Sequence, residues 1–375
     1  MSSSSFDVLV VGAGIVGLAH AYEAVRKGLT VCVVDRDAAC VSASIRNFGF
    51  VTVTGQGAGD TWRRARFARD VWAEIAPQAG IRVVHEGLNL VATRDKSVDV
   101  LNAFMKTAMA HSVGCSLWSP EEAARHAPEL KQDQAKAVLH SPIDLRVESR
   151  EAIGQLTRWL AEAHGVVFRF GEAVLEIATP KVVTAKTTLH AERVVVCTNA
   201  DIHGLYSELF ARHQVRLCQL QMLRVQPQAG FKLNASVMGD LSLVRYHGYS
   251  QLPEAQPLLQ ELQQEEGASL DNGIHLIVVQ SADGSLVVGD SHHYGAAVGP
   301  FAHDAVDELM LRHMREALHI SDYRVAERWV GIYPSAPKTD CFIEAPDDAT
   351  RVAVVTSGTG ASTGFGVAHD TFAAW

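Results

Sequence analysis

Apolar runs and a helix-like pattern alternate along the first 35 residues of the chain. The run Val8–Val11 is short and wholly apolar, as in a strand that is buried on both faces of a parallel sheet. Between Ile15 and Gly28 apolar residues recur every three or four positions, which predicts an amphipathic helix that the glycine ends. A second apolar run, Leu29–Val34, leads to Asp35. The pattern therefore predicts a β-α-β unit with two parallel strands.

Helical and strand-like patterns continue along the rest of the chain, and their mixture changes towards the middle. Helical spacing of apolar residues occurs over Asp60–Ala76, Ser97–His111, Ser149–His164 and a stretch near Asp304–Leu318. Strand-like segments are Ala191–Cys197, Val215–Val225, Ser242–Tyr249, Ile274–Gln280, Leu286–Asp290 and Arg351–Thr356, with a predicted strand pair over Gly165–Ile177. The Gln/Glu-rich stretch Pro253–Gly267 has a helical pattern and predicts a solvated surface insertion. Both ends of the chain thus predict α/β structure, whereas the middle third predicts strands separated by turns.

The composition is that of a globular enzyme and narrows the classes of function. A length of 375 residues favours two domains. With 47% hydrophobic and 20% charged residues, the chain is neither disordered nor a coiled coil. The formal net charge of −9 argues against a protein that binds nucleic-acid phosphates. Because no apolar run approaches the ~20 residues of a membrane span, we expect no membrane-spanning segment.

The cysteines and the start of the chain predict a reducing compartment. None of the six cysteines belongs to a Cys-x-x-Cys pair, and three lie in apolar strand-like runs, which is typical of buried reduced thiols. The polar leader Met1–Ser5 lacks the basic start and the apolar core of a signal peptide. We therefore expect the protein in the cytoplasm.

The β-α-β unit carries a glycine pattern at its first turn and an acidic residue at its end. Asp35 lies 18 positions after Gly17, close to the ~20 expected of a dinucleotide-binding unit. Gly12 allows the tight turn, Gly14 lets backbone N–H groups approach a pyrophosphate, and Gly17 lets the helix pack closely on the strand. Asp35 would accept hydrogen bonds from ribose hydroxyls. The predicted cofactor contacts of this unit are Gly12, Gly14, Ile15, Val16, Gly17, Asp35 and Arg36.

A second glycine-rich turn lies at the far end of the chain. The strand-like segment Arg351–Thr356 is followed by SGTGASTGFG over residues 357–366, which predicts another strand-to-helix turn. A dehydrogenase that uses only a nicotinamide cofactor has no obvious use for this turn, whereas a flavin protein does.

Seven motifs together give the chain a family resemblance. They are GAGIVG with Asp35, SASIRNFG (Ser42–Gly49), VVVCTNAD (Val194–Asp201), LQMLR (Leu220–Arg224), DGSLVVGDS (Asp283–Ser291), WVGIYP (Trp329–Pro334) and the terminal GTGASTGFG. In this combination the chain resembles the FAD-dependent amine oxidoreductases of the D-amino acid oxidase, glycine oxidase and sarcosine oxidase superfamily. SIRNFG, LQMLR and GDSHHYG are most similar to a bacterial branch associated with aminophosphonate breakdown. The chain departs from the family pattern at Asn199 and at Ala361–Thr363, which affects fine geometry and removes no required charge.

The resemblance implies an α/β plus α+β fold with a discontinuous domain arrangement. A Rossmann-type FAD-binding domain would comprise residues 1–85, 141–200 and 325–375. Residues 86–140 and 201–324 would form a substrate domain built on an antiparallel sheet. The change of pattern in the middle third of the chain agrees with this division.

The resemblance also implies further cofactor contacts. A helix N-terminus over Gly360–Gly364 would lie at the flavin ring, where it stabilises the negative charge that flavin reduction builds. No cysteine lies at Gly331–Tyr333, where some sarcosine oxidase relatives attach the flavin, and Cys341 is too far along, so we expect noncovalent FAD. The further candidates are Ser44, Asn47, Val174, Thr198, Gly331, Gly360, Ala361, Ser362, Thr363 and Gly364.

Candidate substrate residues are arginines, for an anion, and neighbouring aromatic and histidine side chains. The planar guanidinium fork suits a carboxylate or a phosphonate, although most arginines are simply solvated. Adjacent histidines on a strand point to opposite faces, so His292 and His293 do not predict a metal site, and we expect no metal. The candidates are Arg46, Arg245, Tyr246, Tyr249, His292, Tyr294, Arg328 and Tyr333, with Lys338 as a further possible cation.

The function expected from these residues and the resemblance is FAD-dependent oxidation of a small anionic amine. The amine would become an imine, which is then hydrolysed, and oxygen or another acceptor would reoxidise the flavin. The branch resemblance favours an aminophosphonate, in some cases N-methylated, and so a place in phosphonate catabolism. Alternatives are a D-amino acid or glycine oxidase, and a flavin-dependent 2-hydroxy-acid dehydrogenase with a histidine base. A noncatalytic FAD-binding protein is disfavoured by the second glycine turn.

Overall fold

Two β-sheets carry the fold in the computed structural model, which describes residues 5–375. The strands are β1 Ser5–Val11, β2 Val31–Asp35, β3 Phe50–Val51, β4 Val83–Ala92, β5 Ser116–Trp118, β6 Ala137–Val147, β7 Val167–Phe170, β8 Val174–Ala178, β9 Lys181–Thr184, β10 Thr188–Val196, β11 Arg216–Pro227, β12 Ser236–Met238, β13 Ile277–Gln280, β14 Leu286–Gly289, β15 His293–Gly295, β16 Tyr323–Ser335, β17 Cys341–Asp347 and β18 Thr350–Val355.

The helices cover both sheets. They are α1 Ile15–Arg26, α2 Asp60–Gln78, α3 Asp95–Met105, α4 Ala108–Val113, α5 Pro120–His126, α6 Ser149–His164, α7 Ser207–Arg212, α8 His247–Ser250, α9 Ala255–Glu265, α10 Gly267–Asp271, α11 Asp304–Ala317 and α12 Gly360–Ala373, with short 3-10 turns at Ala43–Ile45 and Asp240–Val244. Within residues 5–375 no helix is long and apolar enough to cross a membrane. Of the polar leader expected at Met1–Ser5, residues 1–4 lie outside the described residues, and Ser5 begins β1.

The first sheet is the predicted Rossmann-type layer. Its strand order is β17-β18-β10-β1-β2-β7, and the five strands from β18 to β7 are parallel. Val8 and Val10 of β1 pack towards α1, α6 and α12, whereas Leu9 packs against the opposite layer that contains α7. Because both faces are covered, the central strands can be apolar throughout, as the sequence of β1 predicts.

The second sheet is mainly antiparallel and carries the largest core. Its order is β15-β11-β14-β13-β12-β4-β6-β3, with β16 paired to β11 and β5 paired to β6. Leu258 and Leu262 of α9 and Met310 of α11 pack into the same core. The predicted fold class, a Rossmann-type domain plus an antiparallel sheet, is therefore confirmed.

Three local predictions were wrong in whole or in part. The predicted strand Ser242–Tyr249 forms a 3-10 turn and α8, since the backbone N–H groups of Arg245 and Tyr246 both donate to Ser242. Both strands predicted in Gly165–Ile177 form, as β7 and β8, but they do not pair with each other: β7 pairs with β2, and β8 pairs with β9. The stretch 253–267 is not merely a solvated insertion, because one face of α9 is buried.

Sheet membership and the predicted domain segments overlap without coinciding. β16 and most of β6 belong to the second sheet, although residues 325–335 and 141–147 were assigned to the FAD-binding segments. These long strands run from one layer towards the other, so the exact boundaries stay a prediction. What matters for the site is that β16 lies along the junction and contacts both layers.

Candidate active site

The first glycine turn has almost no room for side chains. Gly12 has a φ of 105°, and a Cβ atom there would lie 2.6 Å from the carbonyl oxygen of Cys197. A Cβ atom on Gly17 would lie 1.9 Å from the carbonyl oxygen of Gly12. The two positions therefore need glycine for steric reasons, and the turn delivers the N-terminus of α1 to the carboxyl edge of the parallel strands.

Two side chains hold this turn in place. The carboxylate of Asp35 accepts hydrogen bonds from the backbone N–H of Ala13 at 2.6 Å and from Asp37 at 2.9 Å. The hydroxyl of Ser44 accepts from the backbone N–H of Ile15 at 2.9 Å. Asp35 and Ser44 are thus scaffold residues of the turn, and their contact with a nucleotide remains a prediction.

Unpartnered polar atoms lie beside the turn. The buried Thr198 Oγ1 and Asn199 Oδ1, just after β10, have no hydrogen-bond partner in the described structure. Asn199 also adopts a left-handed φ of 44°, which asparagine tolerates better than most residues. Since buried polar groups are normally satisfied, these atoms indicate a place for a polar ligand.

The remaining predicted nucleotide contacts lie at the periphery. Arg36 forms an exposed ion pair with Asp201, at 2.7 Å. Val174 begins β8, two residues after Glu172, whose backbone N–H donates to the carbonyl of Asp35 at 2.9 Å. Both positions are therefore at the Asp35 end of the site.

A cavity of about 330 Å³ opens between the first glycine turn and the second sheet. Of the predicted residues it is lined by Ile15, Ser44, Arg46, Asn47, Arg245, Tyr246, His292, Tyr294, Gly331, Tyr333, Gly360, Ala361 and Ser362. The structure does not bring to its wall Gly12, Gly14, Val16, Gly17, Asp35, Arg36, Val174, Thr198, Tyr249, Arg328, Lys338, Thr363 and Gly364. Most residues of the second group lie at the first glycine turn or behind the side chains that line the cavity.

The second glycine turn faces the first across this cavity. A Cβ atom on Gly360 would lie 3.5 Å from the Ile15 side chain, so the N-termini of α1 and α12 approach each other. The carbonyl of Ala361 accepts from the Trp72 indole at 2.9 Å, and Ser362 Oγ accepts from the backbone N–H of Thr52 at 3.0 Å. The turn is therefore fixed from α2 and from the loop after β3, and it presents the positive end of the α12 dipole to the cavity.

Arg245 is the cation on the opposite wall. It donates to the hydroxyl of Tyr294 at 3.2 Å, and no carboxylate of residues 5–375 forms an ion pair with it. Burial alone would lower the pKa of Arg245. The neighbouring phenol groups of Tyr333 and Tyr294 raise this pKa by more than burial lowers it, so it lies above its ordinary value. The guanidinium stays charged and is available to an anion in the cavity.

A buried cluster of three titratable groups lies next to Arg245. Asp290 Oδ1 is 3.2 Å from His275 Nε2, without hydrogen-bond geometry, and Asp290 Oδ2 is 3.7 Å from His292 Nε2. Burial raises the pKa of Asp290 to about 7, although the charge of Arg245 opposes the rise. Burial and the charge of Arg245 hold the pKa values of His275 and His292 well below their usual range, so both imidazoles are neutral.

The ligand atoms of this cluster lie within 4.8 Å of one another, but we assign no metal to it. The guanidinium of Arg245 acts on all three residues and opposes a divalent cation. A second such group, Glu266, His313 and Glu316, is neutralised by Arg312, which donates to Glu266.

Three predicted substrate residues lie outside the cavity, and one of them, Lys338, is an exposed surface residue. Tyr249 is fully buried, packs edge-on against Phe104 and leaves its hydroxyl unpartnered. Arg328 is 52% exposed and donates to Asp307 at 2.8 Å. None of these side chains is placed to touch a molecule in the cavity.

Sequence reasoning missed Asp290 and His275. Asp290 immediately follows the apolar strand β14, and a polar residue at a strand end within the quoted motif DGSLVVGDS is a usable signal. His275 stands alone before the apolar segment Leu276–Val279 and gives no signal in the sequence. Only the fold brings the two side chains together.

The chain matches known proteins over nearly its whole length. Residues 7–374 match the sequence profile of the family described as DAO, FAD dependent oxidoreductase. L-proline dehydrogenase from P. horikoshii has a TM-score of 0.77 and 17% identity, covering 98% of this chain and 92% of that chain. Glycine oxidase from Geobacillus kaustophilus has a TM-score of 0.75 and 17% identity, covering 97% and 93%.

A third similar structure contains the cofactor. Dithionite-reduced L-alpha-glycerophosphate oxidase from Mycoplasma pneumoniae, with FAD bound, has a TM-score of 0.73 and 16% identity, covering 98% of this chain and 94% of that chain. A comparison with curated proteins gave no match. At these identities the structural likeness shows a shared fold.

Proposed function

The chain belongs to this family of FAD-dependent oxidoreductases, and we propose that it oxidises a small amine that carries an anionic group. An aminophosphonate, N-methylated or not, is the favoured substrate. The product is an imine that water hydrolyses to a carbonyl compound. When bound, FAD supplies the acceptor for the hydride equivalent that leaves the carbon beside nitrogen.

The residues of the site fit FAD. The unpartnered Thr198 Oγ1 and Asn199 Oδ1 give a polar ligand two contacts beside the first glycine turn. Asp35 would hold the ribose end, the N-terminus of α1 the pyrophosphate, and the turn at Gly360 the flavin ring. Because no cysteine of residues 5–375 lines the cavity, attachment through a thioether is disfavoured and FAD would be held noncovalently.

Arg245 is the single observation that carries the substrate proposal. It is a charged, partly buried guanidinium in the cavity wall that forms no ion pair with a carboxylate of residues 5–375, and such a group is suited to an anion. Arg46 lines the same cavity and also has no acidic partner in the described part of the chain; it donates to the carbonyl of Val330 at 3.2 Å. Two cations suit the charge of a phosphonate better than that of a carboxylate.

The other side chains orient the substrate and exclude water. The hydroxyl of Tyr294 holds Arg245, and Arg216 stacks on the Tyr294 ring at 4.3 Å. His292 and Tyr333 lie edge to face, with centroids 6.3 Å apart, and close the cavity beside them. The N-terminus of α12 stabilises negative charge that develops at its end of the cavity.

A D-amino acid or glycine oxidase uses the same chemistry with a carboxylate on Arg245. Oxidation of a 2-hydroxy acid is a candidate of a different class, and one observation favours it. The neutral His292 presents an unprotonated ring nitrogen to the cavity region, where it could accept the proton of a hydroxyl group. Substrate tests must therefore include hydroxy acids.

Anaerobic reduction of the purified holoenzyme tests these functions directly. Under argon, we expect an aminophosphonate or its N-methyl derivative to bleach the visible flavin band faster than glycine, D-alanine or a 2-hydroxy acid. Fastest bleaching by glycine or D-alanine would replace the phosphonate with a carboxylate. Bleaching by hydroxy acids alone would refute the amine proposal. Readmitting oxygen, or adding a quinone, identifies the electron acceptor.

A further inference from the structure

We propose that Asp290 accepts the proton of the substrate's ammonium group and passes it into a hydrogen bond with His292. The inference rests on the proposed amine oxidation and deepens it. It assigns a proton acceptor to a reaction that needs the amine neutral, because a protonated nitrogen has no lone pair to support the forming C=N bond.

Asp290 lines the cavity, and its carboxylate can accept further hydrogen bonds. It follows β14, lines the cavity and is only 5% exposed. Its Oδ1 atom has no hydrogen-bond partner among the described residues, and its Oδ2 atom faces His292. A carboxylate on a cavity wall, with one buried oxygen atom that accepts no hydrogen bond, is suited to an ammonium group of the substrate.

The tautomer of His292 follows from one contact. His292 Nδ1 lies 2.8 Å from the carbonyl oxygen of Gly273, and a carbonyl can only accept. The proton of the neutral ring is therefore on Nδ1, and Nε2 carries a lone pair directed to the region of Asp290 Oδ2, 3.7 Å away. Two acceptors then face each other, an arrangement that becomes favourable once a proton lies between them.

The step balances without a further reactant. The substrate's N–H bond breaks and leaves its electron pair on nitrogen, while an O–H bond forms on Asp290. A small rotation of the carboxyl group brings that O–H to hydrogen-bond distance from His292 Nε2. The substrate loses one positive charge and Asp290 loses one negative charge, so the net charge of the cavity is unchanged.

The surrounding groups bring the pKa of Asp290 close to the pH at which the enzyme would work. Burial favours its protonated form and Arg245 favours its ionised form, which leaves its pKa at about 7. A proton acceptor is most effective when its pKa lies near the operating pH. The titratable and charged groups facing Asp290 are Arg245, Tyr246, His275, His292 and Cys218.

The test uses the holoenzyme and Asp290→Asn, which keeps shape and removes the acceptor. The matched control is Asp283→Asn, an exposed residue just before the same strand. With the best amine found for wild type, we expect flavin reduction at pH 7 to fall about 100-fold in Asp290→Asn and to stay within about twofold in the control. The deficit should shrink towards pH 10, where the free amine is itself neutral.

Wild type alone gives a second measurement, which keeps the inference testable if the variant does not bind FAD. The logarithm of kcat/KM should rise with pH through a midpoint near 7 that stays fixed for two amines of different basicity. A midpoint that follows the pKa of the amine would overturn the inference, because the enzyme would then select the neutral amine from solution. The inference would also be overturned if Asp290→Asn reduced its flavin at the wild-type rate and with the wild-type pH profile.

Metal analysis and the wild-type reaction separate the remaining outcomes. A stoichiometric divalent metal in the purified holoenzyme, lost in Asp290→Asn, would replace the proton acceptor with a metal site. If no amine bleaches the wild-type flavin, the proposed function itself fails. If wild type is active and Asp290→Asn is equally active, only the assignment of Asp290 fails.

Discussion

Backbone groups form one end of the cavity, and side chains form the other. At the first glycine turn, backbone geometry is decisive: Gly12 and Gly17 have no space for Cβ, and the N–H groups of Ala13 and Ile15 have protein partners. At the opposite end, side chains are decisive, and Asp290 Oδ1 and His275 Nδ1 have no hydrogen bond. The turn itself can therefore form before any ligand binds. Unused bonding capacity lies beside it, at Thr198 and Asn199, and in the side chains at the opposite end.

This contrast also separates stability from function. A satisfied backbone turn stabilises the fold, but an unpartnered buried polar atom costs about 1–3 kcal/mol. A protein retains such atoms where they serve binding or chemistry. The cluster around Asp290 is accordingly the part of the molecule where substitution should increase stability while it reduces activity.

The largest effect is expected from closing the backbone turn. Gly17→Val places a branched side chain where a Cβ would already lie 1.9 Å from the Gly12 carbonyl oxygen. We expect FAD binding to be lost and the free energy of unfolding to fall by about 5 kcal/mol, measured by cofactor content and urea denaturation. The matched control Gly154→Ala, on an open position of α6, should raise stability by about 0.5–1 kcal/mol. A yellow, stable Gly17→Val protein would contradict the steric account.

The next effect concerns Arg245 and Arg328, which are both candidates for binding the substrate anion from the sequence. Arg245→Ala removes the cavity cation and should lower kcat/KM by a factor that corresponds to about 2–5 kcal/mol of lost transition-state stabilisation, with an almost unchanged flavin spectrum. Arg328→Ala removes a half-exposed partner of Asp307 outside the cavity and should change kcat/KM little. Steady-state kinetics with one substrate compare them, and a larger loss in Arg328→Ala would reverse the assignment.

A stability measurement examines the side-chain end without any substrate. The folded pKa of Asp290, about 7, is raised above its unfolded value, so its contribution to stability is complete below about pH 4 and is lost as the pH rises through 7. Asp290→Asn removes this loss. We expect the variant to be more stable than wild type at pH 8, on the order of 2–4 kcal/mol, and the difference to shrink at pH 5. Urea denaturation at both pH values measures it; equal pH dependence in both proteins would argue against a raised pKa.

The smallest effect is expected at the acidic residue of the first turn. Asp35→Ala removes the acceptor for Ala13 N–H and for a ribose hydroxyl, and it should weaken FAD binding by about 1–3 kcal/mol. Fluorescence titration of the apoprotein measures this, with the exposed Asp133→Ala as control. Acid precipitation of wild type should release FAD into the supernatant, since noncovalent attachment is predicted. Yellow colour in the pellet would show a covalent bond.

How far the sequence predicts the molecule depends on how local the determinants are. The β-α-β unit was predicted to within a few residues because Val8–Val11, Gly12–Gly17 and Asp35 are neighbours along the chain. The sequence favoured Arg245 or Arg46 for the anion but could not exclude Arg328, because the exposure of Arg328 and its partner Asp307 depend on how distant segments assemble. His275 gave no signal for the same reason. The sequence thus predicted the fold and the cofactor, but not the cluster around Asp290.

The position of α12 near the end of the described sequence determines when the site can assemble during synthesis. This helix, residues 360–373, packs on α1, and Thr371 Oγ1 lies 2.9 Å from His20 Nε2. In the sheet, β10 lies between β1 and β18, and β18 also comes late in the chain. While the chain grows on the ribosome, the first glycine turn and α1 therefore lack their packing partner α12 until residues 360–373 have emerged. Because Gly360 and Ala361 of α12 line the same cavity as Ile15 of α1, we expect FAD to bind only after residues 360–373 have been synthesised and have packed on α1.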